Sequence, residues 1–154
     1  MDYLIVKWLH VMSSTFLFGT GVGSAFYLLF VVLRGDLRAI AEVSRLVVVA
    51  DVLFTATTAV IQPVTGLYLV HRLHLGFEPR WIWGSLVLYV VAIGCWLPVV
   101  WIQIRLRDLA GESLRQGTTL GISFHRLFRA WILLGIPALL AFLVIFWMMV
   151  AKPH

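Results

Sequence analysis

Charge is what this sequence has least of. Only 12% of its 154 residues are Asp, Glu, Lys or Arg, about half the roughly 25% usual in soluble domains. The charge is also missing in blocks: none lies from Val11 to Leu33, from Trp81 to Ile104, or from Ala130 to Ala151. No polar segment is long enough to form a soluble catalytic domain. A single cysteine, Cys95, sits inside an apolar run, which excludes a disulfide framework and a cysteine-based metal site and leaves a buried inert thiol. There is no Walker loop, no HExxH and no dinucleotide fingerprint. Gly19-Thr20-Gly21-Val22-Gly23 lies in mid-run with no strand before it, so it reads as a small-residue face that admits a neighbouring helix or a flat ligand. The net charge of +5 comes without any run of five like charges, and nucleic acid is not an expected partner.

What is present is apolar: 62% of the residues are hydrophobic and the mean hydropathy is +0.99. The sequence predicts an all-α, four-transmembrane-helix bundle in one domain, 1–154, with spans at about 4–33, 47–71, 81–104 and 127–150. Each exceeds the roughly 20 residues that cross a hydrocarbon core. The first reads as a membrane helix rather than a cleavable signal, because Asp2 and Lys7 flank a run that continues to Leu33 with no small-x-small site to close it. Linkers are expected at 34–46, opened by Arg34-Gly35-Asp36; at 72–80, with Gly76 and Pro79; and at 105–126. Eight of the twelve Lys and Arg residues (34, 38, 45, 105, 107, 115, 126 and 129) border the first and third linkers; Lys7, Arg72, Arg80 and Lys152 lie opposite. Cytoplasmic loops attract such residues, so both termini are expected outside. Trp8, Trp81, Trp83 and Trp147 then mark the outer interface, and Trp101 and Trp131 the inner one.

A polar group in hydrocarbon is costly unless it faces the bundle interior and finds a partner. On helix one, His10, Ser14, Gly21 and Ser24 fall in one sector at 100° per residue, with Ser13 beside them. Asp51, Thr55, Thr58, Gln62 and Thr65 recur at intervals of four, three, four and three, a single inward stripe. Pro63 releases the carbonyl of Ala59, making a kink or a spare acceptor there. The third helix carries Ser85, Tyr89, Trp96 and Gln103 near one face. Asp51 reads either as a carboxylate at a helix N-terminus, favoured by the helix dipole or paired with Arg45, or as a proton relay.

Of five histidines, only His10 is both embedded and inward-facing. His125 sits among Arg126 and Arg129 at the inner rim, His71 and His74 border the short outer loop, and His154 is terminal. His71 points away from Gln62 on an ideal helix, although the Pro63 kink weakens that objection.

Lys7-Trp8-Leu9-His10 followed by Phe16-Leu17-Phe18-Gly19, the segment Pro63 to Leu69, and Phe128-Arg129-Ala130-Trp131 through Pro137 to Lys152-Pro153 resemble the helices of HemJ-type protoporphyrinogen oxidases, small haem-containing bacterial membrane proteins. The overall pattern resembles still more closely a neighbouring family, domain of unknown function 2269. The resemblance implies a bacterial inner (cytoplasmic) membrane, a haem b ligated by His10, and a cofactor site drawn from His10, Ser14, Gly21, Gln62 and Ser85. The second axial ligand is open among His71, His74, Met12 of a neighbouring copy, or water. The HemJ-type third-helix lysine is replaced here by Ser85, and its fourth-helix Asn-Glu-Pro by Gly135-Ile136-Pro137. Three readings follow: a haem-b redox protein working with a quinone, a porphyrin or a partner protein; a non-enzymatic scaffold or accessory subunit, which could form homo-oligomers; and a small transporter using Asp51 and Gln62.

Overall fold

The computed structural model describes residues 1–75 and 79–153; Gly76 of the short loop and His154 lie outside them. The chain is all-helical: α1 Asp2–Arg34, α2 Leu37–Ala50, a π-helical turn Asp51–Thr55, α3 Ala56–Arg72, α4 Arg80–Gln116 and α5 Ile122–Ala151. The segment α2–π–α3 runs on as one element, so four helices are long and apolar enough to cross a membrane. The protein is an integral, multi-pass membrane protein.

Two of the three expected linkers are mostly helix. The first shrinks to a two-residue reversal at Gly35 and Asp36. Gly35 adopts φ 75° and its N–H reaches the carbonyls of Val31 and Val32, while the Asp36 carboxylate caps α2 by accepting from the backbone N–H groups of Arg38 and Ala39 at 3.0 and 3.2 Å. A left-handed glycine followed by an Asx cap closes one helix and opens the next without a loop. The third shortens to 117–121, since α4 continues to Gln116 and ends on Gly117 at φ 65°. Hydropathy misses these extensions because they are amphipathic, not apolar. Their buried faces meet one another: Ile40 on α2, Leu106 and Ala110 on α4, and Phe124 on α5 are almost fully enclosed. With Leu28 and Trp131 they form the tightest core of the molecule, at the arginine-rich end, where Phe124, Phe128 and Trp131 stack in succession.

Beyond that core the helices pair off. α4 lies along α5, α1 along α3, and α2 braces α4. Two contacts tie the pairs together toward the other end: Phe18 of α1 meets Phe146 of α5 edge to face at 5.2 Å, and the Tyr89 hydroxyl of α4 donates to the Ala59 carbonyl of α3. Away from the Phe18–Phe146 contact, α1 and α5 stand apart.

Candidate functional site

Two polar centres lie within the membrane-spanning region. The first joins α1 to α3. The Thr65 hydroxyl donates to the Ile61 carbonyl at 2.7 Å, so its oxygen is left to accept from His10 Nδ1–H at 2.8 Å. The imidazole proton therefore sits on Nδ1, and Nε2 accepts from the Gln62 amide at 3.2 Å. The Gln62 carbonyl oxygen in turn accepts from the Ser13 hydroxyl. Both ring nitrogens are in use. The ring lies over Gly66, where a Cβ would stand 3.1 Å from His10 Cε1.

This arrangement reassigns several expected site residues. Ser13, not Ser14, is the inward hydroxyl; Ser14 donates to the Val11 carbonyl of its own helix. An i−3 bond of that kind needs no ligand. His71 is on the exposed side of α3, about 9 Å further along the axis than Thr65, so the structure does not bring the expected metal pair His10 and His71 together. Among the described residues, no three His, Cys, Asp or Glu side chains converge as a metal group. Ser85 is buried, but it donates to the Trp81 carbonyl at 2.6 Å and meets Met148 Sδ at 3.8 Å, away from the histidine chain. An axial haem ligand needs a free lone pair, and the one on His10 Nε2 is occupied by Gln62. The residues around His10 do not fit haem b as they stand.

The second centre is a cavity of about 400 Å³ between α1, the π turn, α4 and α5. Its wall is apolar and aromatic except for Ser24, whose hydroxyl donates to the Gly21 carbonyl of its own helix, and one cluster: Asp51, Thr55, Trp96 and Gln103. Gly21 and Ser24 of α1 face Gly135 of α5 across it, and these small side chains leave the space. Val22, Phe26, Ile136 and Leu139 also line it and are exposed on the outside of the bundle. The mouth thus opens sideways, toward lipid.

The π turn positions the polar cluster. The Ala56 N–H bonds to the Asp51 carbonyl five residues back, and such single wide turns are frequent at functional sites. Asp51 is thus in mid-helix, not at a helix N-terminus as expected. Nor is Arg45 its partner, since Arg45 pairs with Glu42 at 2.6 Å on an exposed face. Asp51 is 4% exposed. Its Oδ1 accepts from the Thr55 hydroxyl at 3.0 Å, and Gln103 and Trp96 stand beside the carboxyl. Among the described residues no cation reaches it. Trp96 Nε1 and Gln103 Oε1 are both buried without a hydrogen-bond partner.

Sequence reasoning placed Trp96 and Gln103 on one face of the third helix and Asp51 on the inward stripe, but did not join them. The signal available was the seven-residue step from Tyr89 to Trp96 to Gln103, two turns each, which puts all three in line toward the second helix.

Comparison with known proteins is brief. No curated protein and no solved structure matches the chain, and the HemJ-type likeness gains no support. A family model does match, over residues 4–153, and the chain belongs to that family, described as a predicted integral membrane protein (DUF2269).

Proposed function

We propose that this protein binds a lipophilic small molecule of the quinone class within the bilayer, in the cavity between α1 and α5. The observation that carries the reading is the pairing of a lipid-facing apolar cavity with one polar cluster at its wall. A volume of about 400 Å³ is in the range of small-molecule pockets, which are mostly apolar with a few placed polar groups. A quinone head offers carbonyl oxygens to the Trp96 N–H, and its prenyl tail suits the sideways mouth. With such a ligand the protein would serve as a binding or electron-transfer component of a bacterial inner membrane.

Extraction and mass spectrometry test it. Protein purified in mild detergent from native membranes should release a prenylated quinone in near-stoichiometric amount, and Gly135→Leu protein should release far less. A wild-type extract holding no more quinone than the surrounding lipid overturns the proposal. The rival, a haem b on His10, requires the imidazole to give up its bond from Gln62. A reduced-minus-oxidised spectrum separates the two: a stoichiometric Soret band that vanishes in His10→Ala would favour haem.

A further inference from the structure

We infer that the cavity selects the reduced, hydroxyl-bearing form of its ligand over the oxidised quinone. The inference rests on the binding reading above and concerns the chemistry of the head. One acceptor at the wall is buried and unmade. The Asp51 carboxyl accepts from Thr55 at Oδ1 and has Gln103 and Trp96 beside it, whereas Gln103 Oε1 accepts no hydrogen bond although its residue is 4% exposed. Trp96 Nε1–H is a buried donor without a partner. A buried acceptor left unmade is costly, and the cost is removed only by a donor. An oxidised quinone has two carbonyl oxygens and no donor, so it can satisfy Trp96 but leaves Gln103 Oε1 unmade. A hydroquinone hydroxyl does both: its oxygen accepts from Trp96, and its hydrogen goes to Gln103 Oε1 or Asp51.

The competing donor is an ammonium group. It suits a carboxylate equally well, but a ligand entering from lipid would have to cross hydrocarbon as a cation, at far higher cost than a neutral hydroxyl. The mouth beside Val22 and Ile136 therefore favours the neutral head. Among the described residues, no other buried side-chain acceptor without a partner lines this cavity.

The test compares three ligands of one shape on protein in lipid nanodiscs, with empty nanodiscs as background: a decyl-chained benzoquinone, its hydroquinone held reduced with dithionite, and the dimethyl ether of that hydroquinone. The hydroquinone should bind about tenfold or more tightly than either of the others, the change expected from one or two hydrogen bonds. In Gln103→Met its affinity should fall to within a few-fold of the ether, while the ether binds as before. Equal binding of all three, or a preference for the quinone, overturns the inference and leaves the binding reading standing. Saturable binding of none of them overturns both. Because the ligand series is decisive on the wild-type protein, poor folding of the variant would not rescue the idea.

Discussion

The Tyr89 hydroxyl donates to the carbonyl of Ala59, the one acceptor in α3 that Pro63 leaves without its helical amide. Proline four residues on has no N–H to offer, and in lipid no water replaces it. A side chain from the neighbouring helix does so, and thereby ties the α3 side of the bundle to the α4 side. Removing the hydroxyl in Tyr89→Phe should destabilise the fold by about 1–2 kcal/mol. In a Pro63→Ala background an amide returns to position 63, and the same change should then cost less than half as much. Reversible unfolding of the four proteins in mixed micelles gives the coupling energy; additivity within about 0.3 kcal/mol would show that the two residues are not linked.

Much of this fold is legible in the sequence, and the reasons for success and failure are physical. The four spans follow from the absence of charge, because hydrocarbon tolerates little else. The inward stripe on the second span follows from helical periodicity: Asp51, Thr55, Thr58 and Thr65 are all buried. The spare carbonyl at Ala59 follows from proline geometry alone. The helical extensions at Leu37–Leu46 and 105–116 are hidden because hydropathy measures affinity for lipid, and these segments bury their faces against each other instead. The cavity is hidden for another reason. It depends on which helices stand apart, and four spans of known length do not say that α1 and α5 leave a gap. Ser13 rather than Ser14 reaches Gln62: neighbours on a helix differ by about 100° in facing, and which of the two turns toward α3 depends on the rotation of α1 about its axis, which no sequence pattern sets.

At Gly66 the imidazole of His10 occupies the place a side chain would take. A Cβ there would stand 3.1 Å from Cε1, and the ring is held by Thr65 and Gln62 and cannot retreat without lengthening those bonds. Gly66→Ala should therefore cost about 1–3 kcal/mol. In His10→Ala the ring is gone, and Gly66→Ala should become neutral or mildly stabilising, since alanine favours helix by about 1 kcal/mol over glycine. Thermal unfolding of the single and double variants checks this; an equal penalty in both backgrounds would place the obstruction elsewhere.

Orientation follows from the arginines that cluster around the α1–α2 reversal and the α4–α5 connection. With Cys95 replaced by alanine, cysteines introduced at Arg38 and Arg115 should resist a membrane-impermeant maleimide in intact cells and react after permeabilisation. A cysteine at Tyr3 should show the reverse pattern. Ready labelling at position 115 from outside would invert the topology and place the arginine-rich core on the outer face.

Filling the cavity separates its role in binding from its role in folding. At both Gly21 and Gly135 an added Cβ meets no atom within 4 Å, and both residues line the space. A leucine at either position can extend into the void without displacing backbone, and it replaces the residue that favours helix least among non-prolines. Most single substitutions weaken a protein; these two should not. Gly21→Leu and Gly135→Leu are expected to leave the melting temperature in detergent unchanged or raise it by a few degrees. Hydroquinone binding should fall at least tenfold. Gly94→Leu is the control, because Gly94 also has open space at its Cβ but does not line the cavity, and it should bind as the wild type does. If the two cavity variants keep full affinity while remaining folded, the ligand is held elsewhere in the membrane-spanning region. If instead they unfold, the space between α1 and α5 is narrower than the structure places it, and the packing of these two helices must be redrawn.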